Sequence, residues 1–158
     1  METVHIKING TSYEVAAGST ILEAAHSVGI EIPTLCYLKE INAIGACRIC
    51  VVEVKGAKSL VTACVYPVSE GMEVVTNSEK VMASRKTNLE LLLSTHDQNC
   101  LSCVRSTDCE LQRLCRDYGV NGQRFVGTRE RYALDDSAPH MIRDNNKCIP
   151  VSYTHLRA

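Results

Sequence analysis

With 158 residues and a hydrophobic fraction of 45%, the chain has enough apolar material for a packed core and does not read as disordered. Its 17 Lys and Arg stand against 18 Asp and Glu, and a formal net charge of -1 provides no positive field to gather nucleic acid or anionic lipid. The opening METVHIKING lacks the apolar stretch of a secretion signal and no eighteen apolar residues run together, so no direct membrane insertion is expected and the cytosol is the expected compartment.

Val4, Ile6 and Ile8 alternate with His5 and Lys7, Asn9-Gly10 supplies a tight turn, and Tyr13 and Val15 resume the alternation, which predicts an opening β-hairpin. Gly18 and Ser19 are candidate caps for a helix over 20–28, with Ile21, Leu22, Ala25 and Val28 on one side and Gly29 to end it. Val51, Val52 and Val54 form a β-branched run, Lys55-Gly56 turns the chain, Leu60 and Val61 continue it, and 72–76 adds a last strand. Thr76 and Glu79 stand at capping-box spacing before a helix that carries Val81, Met82, Leu89, Leu92 and Leu93 toward His96. A further helix is expected over 109–118, closed by Gly119, whereas 121–147 is polar, Arg-rich and poorly periodic and reads as a connector. With no Trp and one Phe (Phe125), the core must be aliphatic, a thin supply for two small lobes that makes a metal-centre staple structurally relevant.

The nine cysteines are hard to read as disulfides in a reducing compartment, so metal ligation is the better reading, and their odd number leaves at least one outside any site. Cys36, Cys47, Cys50 and Cys64 are separated by ten, two and thirteen residues. Four thiolates suit a 2Fe-2S cluster, two per iron. Pro33 stiffens the approach to Cys36, while Gly45 and Ala46 leave room for backbone N–H groups near an anionic cluster. A structural zinc in the same four thiolates is the rival reading, and a redox-active Cys47/Cys50 dithiol would leave Cys36 and Cys64 unexplained.

His96, Cys100, Cys103 and Cys109 form a second set, separated by three, two and five residues. Imidazole is a good ligand for iron or zinc and brings no negative charge, so in place of one thiolate it raises a cluster's potential. A solvated histidine or a small zinc knuckle fits the same spacing. Cys115 offers a competing set of Cys100, Cys103, Cys109 and Cys115, or is simply a small buried apolar residue on its helix. Arg105, Arg113 and Arg116 are candidates for balancing cluster charge, although a solvated face is the commoner meaning of such residues.

Pro33-Thr34-Leu35-Cys36-Tyr37 followed by Gly45-Ala46-Cys47-Arg48-Ile49-Cys50 resembles the 2Fe-2S motif of the complex I (NADH dehydrogenase) large-subunit family and of NAD(P)-linked iron-only hydrogenases. His96-Asp97-Gln98-Asn99-Cys100-Leu101-Ser102-Cys103 followed by Asp108-Cys109-Glu110-Leu111-Gln112 resembles the 4Fe-4S domain that comes next in both. Leu101 stands where complex I subunits usually have Pro, which leans the match toward the hydrogenases. The resemblance implies an α+β chain: a β-grasp, plant-type 2Fe-2S ferredoxin domain over 1–77, then a small helical 4Fe-4S domain over 78–118. It implies 2Fe-2S ligands Cys36, Cys47, Cys50 and Cys64, and 4Fe-4S ligands His96, Cys100, Cys103 and Cys109.

The remainder, 119–149, is expected to be the connector and the start of a further ferredoxin domain, because Asp144-Asn145-Asn146-Lys147-Cys148-Ile149 resembles the opening of the next hydrogenase motif. No CxxCxxC follows Cys148, and 150–158 (PVSYTHLRA) reads as a tail unrelated to the family, so the chain reads as truncated. No Ser/His/Asp set, phosphate-binding Gly-rich loop or paired carboxylates appear, so no catalytic residue is expected. The family implies single-electron relay between an NAD(P)-linked flavoprotein partner, with iron-sulfur subunits of the same complex, and a hydrogenase active site missing from these residues. A complex I large subunit and an NAD-linked formate dehydrogenase are the alternative parents, and a structural zinc protein is the alternative of another class.

Overall fold

A computed structural model of the chain describes residues 2–41, 43–122, 124–125, 127 and 131–149. It divides into two compact units, 1–86 and 87–158. The expected boundary at 77/78 falls at the approach to a long helix, and the division between units lies within that helix. The tail expected over 150–158 lies outside the described residues.

The first unit is built on a mixed five-stranded sheet of order β2-β1-β5-β3-β4, from β1 (Thr3–Ile8), β2 (Thr11–Ala16), β3 (Val51–Val54), β4 (Val61–Thr62) and β5 (Glu73–Val75). β1 and β2 form the predicted hairpin, with Ile6 opposite Tyr13 and Ile8 opposite Thr11. Asn9 and Gly10 both take positive φ, at 51° and 88°, as the tight turn between twisted strands requires. β5 runs parallel to β1, which places it between the hairpin and the antiparallel β3. Ile6, Ile8, Val15, Val52 and Val74 of the sheet pack in one core with Ile21, Leu22, Ala24 and Ala25 of α1 (Ile21–Ser27). Cys50 and Cys64 belong to that same core. Each fully buried aliphatic side chain contributes roughly 1.5–3 kcal/mol, which lets an all-aliphatic set hold the lobe together.

Two caps differ from the sequence expectation. α1 is capped by Thr20, whose side chain accepts from the Glu23 amide while the Glu23 carboxylate accepts from the Thr20 amide. Ser19 instead closes a turn by donating its hydroxyl to the Ala16 carbonyl. Thr76 does not open α2 (Glu79–Thr95) either. It is buried, its amide and hydroxyl meet the Asn9 side chain at 2.9 Å each, and so it locks the hairpin turn to the end of β5. The α2 start is served by Ser78, whose hydroxyl accepts from the Val81 amide at 3.3 Å. Capping-box spacing is blind to such a tertiary competitor for the threonine hydroxyl.

In the second unit, α3 (Glu110–Asp117) occupies the predicted stretch and buries Leu111 and Leu114. The region read as an extended connector contains a small antiparallel hairpin, β6 (Asp135–Ala138) with β7 (Met141–Arg143), followed by a 3-10 turn at Asn145–Lys147. β6 (DDSA) is polar and β7 (MIR) is only three residues long, so neither carries an apolar alternation that would leave a periodic signal. Among the described residues no helix is long and apolar enough to cross a membrane.

Arg85 on α2 is fully buried and donates from Nη2 to the Val51 carbonyl at 2.8 Å, next in sequence to Cys50. Arg85→Ala removes that charged donor and leaves a cavity, and should destabilise the chain by about 2–4 kcal/mol in urea unfolding followed by circular dichroism. An unchanged midpoint would mean the buried guanidinium is not a structural tie.

Candidate iron-sulfur sites

The first predicted set converges. Cys36 and Cys47 are 6% exposed and Cys50 and Cys64 are 1% exposed, so all four sulfurs lie inside the lobe. They come together as two pairs. The Cys47 amide lies 3.5 Å from Cys36 Sγ and the two thiols share a hydrogen bond, while Cys50 Sγ and Cys64 Sγ are 3.4 Å apart.

The fold explains the second pair directly. The first turn of a helix has amides with no partner inside the helix. In α1 the Ile21 amide donates to the Tyr66 carbonyl at 2.9 Å and the Leu22 amide to the Ala63 carbonyl at 3.0 Å, which clamps the segment around Cys64. The Ala63 amide donates in turn to the Cys50 carbonyl at 3.1 Å. Cys50 itself sits at the foot of β3, so sheet, helix start and return loop together fix this pair.

The loop from Gly45 to Cys50 is held in a costly shape. Arg48 takes φ 58°, a left-handed conformation rare for a residue with a side chain, and donates from Nη2 to the Leu60 carbonyl at 3.2 Å. Gly45 has φ +65°, and a Cβ there would stand 3.1 Å from Thr62 Oγ1. The positive φ favours glycine, and the close neighbour adds to that preference.

The electrostatics match the pairing. The hydrogen bond from Cys36 brings the Cys47 thiol down to about 6 against the opposing effect of burial, helped by the amides of Ile49, Leu35 and Cys36. Cys64 brings Cys50 down to about 7 in the same way, helped by the Cys64 amide. Cys36 and Cys64 are pushed up, first by that shared hydrogen bond and then by burial. Each pair therefore readily carries one negative charge and resists a second until a cation replaces the shared proton.

The second set also converges. His96, Cys100, Cys103 and Cys109 line one cavity of about 380 Å³ in the second unit, together with Cys115. His96 directly follows the last residue of α2. Cys100 opens a 3-10 turn, the Cys103 amide returns to the Cys100 carbonyl at 3.1 Å, and the Ser106 amide to the Cys103 carbonyl at 3.0 Å. Cys109 is the N-cap of α3, where the positive end of the helix dipole favours an anionic ligand. Burial first, then the neighbouring Cys109 and Cys100, push the Cys115 thiol up to about 11. Of the three arginines considered for charge balance only Arg116 lines the cavity, since Arg113 pairs with Glu110 and Asp117 and Arg105 with Asp108.

Sequence reasoning missed one contributor. His96 Nδ1 lies 3.3 Å from the backbone carbonyl of Cys148. A carbonyl only accepts, so Nδ1 carries the proton and Nε2 the lone pair that a metal uses. The same segment is tied to the cysteine loop by the Asp97 amide donating to the Asn146 carbonyl at 2.8 Å and by Lys147 Nζ donating to the Ser102 carbonyl at 3.4 Å. No spacing rule reports a main-chain acceptor fifty residues away.

Residues 1–79 match the family of the 2Fe-2S iron-sulfur cluster binding domain. The chain belongs to this family. Behind the 2Fe-2S domain, residues 85–124 match the NADH-ubiquinone oxidoreductase-G iron-sulfur binding region. The protein thus combines a 2Fe-2S binding domain and a 4Fe-4S binding region in an α+β chain. It is 43% identical over 154 residues to the NADP-reducing hydrogenase subunit HndD of Solidesulfovibrio fructosivorans, covering 94% of this chain and 26% of that one. It is 40% identical to the NADPH-Fe(3+) oxidoreductase subunit alpha of Geobacter sulfurreducens, covering 92% of this chain and 17% of the relative. It is 33% identical to the mitochondrial NADH-ubiquinone oxidoreductase 78 kDa subunit of Candida albicans, covering 92% and 21%. Among solved structures, an NAD+-reducing NiFe hydrogenase in its H2-reduced state superposes with a TM-score of 0.86 at 33% identity, covering 95% of this chain and 63% of that one. The chain spans about a quarter or less of the length of these curated relatives, whose names make them hydrogenase and oxidoreductase subunits.

Gly45→Ala should cost about 1–3 kcal/mol and lower the yield of the 2Fe-2S cluster, because it meets Thr62 and keeps a left-handed φ. Gly56→Ala has a similar φ with nothing within 4 Å, so it reports the backbone cost alone. Equal melting temperatures and cluster yields for the two variants would refute the close-contact argument.

Proposed function

We propose that this chain is the electron-input segment of an NAD(P)-linked hydrogenase, with Cys36, Cys47, Cys50 and Cys64 holding a 2Fe-2S cluster and His96, Cys100, Cys103 and Cys109 holding a 4Fe-4S cluster. The observation that carries it is the arrangement of the buried sulfurs in two pairs inside a lobe that matches a 2Fe-2S family. Two irons with two thiolates each need such pairs, and a single zinc needs four donors about one point. Among the described residues no three His, Cys, Asp or Glu side chains gather as a single metal ion requires. A 4Fe-4S cluster spreads its donors over four irons, which suits four side chains around a cavity of about 380 Å³.

When bound, each cluster takes up and gives back one electron at a time. The protein's part is to bury the sulfurs, aim amides at them and choose the donor types. The amides of Ile49, Leu35 and Cys36 about Cys47, and of Ala46 and Cys47 about Cys36, favour added negative charge. His96 supplies a neutral donor where a thiolate would add charge, which raises the potential of the second site. The Cys148 carbonyl holds that imidazole in the metal-binding tautomer.

The electron donor on this reading is an NAD(P)-linked flavoprotein in a complex with further iron-sulfur subunits, located in the cytosol. The names of the relatives, with NADP, NADPH or NAD+ and hydrogenase or oxidoreductase, support that class. A complex I large subunit is the second reading, favoured by the 33% identity to the Candida albicans NADH-ubiquinone oxidoreductase chain.

Anaerobic reconstitution with ferrous salt and sulfide should give one 2Fe-2S and one 4Fe-4S cluster per chain. Cys50→Ala should abolish the 2Fe-2S electron paramagnetic resonance signal and keep the 4Fe-4S signal, and Cys100→Ala should do the reverse. Stoichiometric zinc without acid-labile sulfide would overturn the assignment. With NAD(P)H, the visible absorption should bleach only when the flavoprotein partner is added.

A further inference from the structure

Five histidine and cysteine side chains, one more than a 4Fe-4S cluster uses, line the cavity of the second unit: His96, Cys100, Cys103, Cys109 and Cys115. The α3 residues on its wall are Leu111, Gln112, Cys115 and Arg116, spaced one, three and one apart, as neighbours on a single helical face are. Cys115 therefore lies on the α3 face that lines the cavity, six residues after the helix N-cap Cys109, which lines it too. A plain core role fits it poorly. The buried residues of α3 are Leu111 and Leu114, whereas Cys115 is only partly covered, and its sulfur lies within electrostatic reach of both Cys109 and Cys100.

We infer that Cys115 is a reserve ligand of the second cluster site, the sulfur that takes over the iron position of His96 when the imidazole is lost. The inference rests on the ligand set proposed above. His96 is the member most easily released, since it is the one neutral donor among thiolates. Thiolate sulfur is the softer donor and the usual partner of iron in such clusters. In the exchange one iron–nitrogen bond is replaced by one iron–sulfur bond, and the thiol proton passes to the imidazole nitrogen that is displaced. No electron is gained or lost. The cluster with its bound ligands then carries one more negative charge, offset nearby by the imidazolium when His96 is present and by nothing in a His96→Ala chain, where the proton goes to solvent and the potential falls.

The test compares the full chain with Cys115→Ala, His96→Ala and the double variant, all reconstituted anaerobically and examined by Mössbauer and electron paramagnetic resonance spectroscopy. The 2Fe-2S signal and circular dichroism report folding, and added imidazole should restore the cluster of the double variant. Cys115→Ala should keep the native 4Fe-4S spectrum. His96→Ala should keep four irons at the second site with altered g-values and a lower midpoint potential, and the double variant should lose that cluster or retain only three irons. If His96→Ala and the double variant behave alike, whether both keep or both lose the cluster, Cys115 is not a reserve ligand. If Cys115→Ala alone loses the native spectrum while His96→Ala keeps it, Cys115 is the resident ligand, and the histidine assignment fails with the inference.

Discussion

Four cysteine sulfurs are drawn into the interior of a small aliphatic lobe, and their negative charge is tolerable there only if something positive meets it. Shared protons do part of that work within each pair, and backbone amides around Cys36 and Cys47 do more. Much of the first unit follows from bringing those groups together. The amides at the start of α1, which have no partner inside the helix, clamp the segment around Cys64, Thr62 crowds Gly45, and Arg48 is held in a left-handed conformation between Cys47 and Ile49. The sheet is the frame that withstands this strain, because its pairing and its aliphatic core supply the stability that the loop consumes.

The second unit solves a related problem with less core. Among its described residues few apolar side chains are fully buried, with Leu89, Leu111 and Leu114 the most deeply covered. Its donors instead surround an open cavity and are positioned by tight turns, one helix N-terminus and a main-chain segment that returns from the far end of the chain. Glu90, buried on α2, pairs with Arg124 at 2.6 Å and ties the stretch after α3 back to that helix. A site assembled this way has room for more than one choice of donor, which the deeply buried first site lacks.

The two candidate sites differ in the donors they bring together. An all-thiolate set with aimed amides and a set with one neutral imidazole favour different charges on what they bind.

Much of this was legible in the residues. The alternation of Val4, Ile6 and Ile8, the Asn9-Gly10 turn and the apolar face of α1 are local signals, and the strands and helices appear where those signals lie. Both candidate sets could be named from the residues because each contains a CxxC turn, which brings two donors together by itself, and the structure places the other members beside them. The caps at Thr20 and Ser78, the pairing of Thr76 with Asn9, the close approach of Thr62 to Gly45 and the hairpin at 135–143 were not. Chain spacing alone determined which side chains are chemically able to bind and roughly where the elements run. Only the tertiary structure decided which sulfurs pair, which carbonyl orients His96 and that Cys115 faces the same cavity, because these depend on distances between segments far apart in the chain.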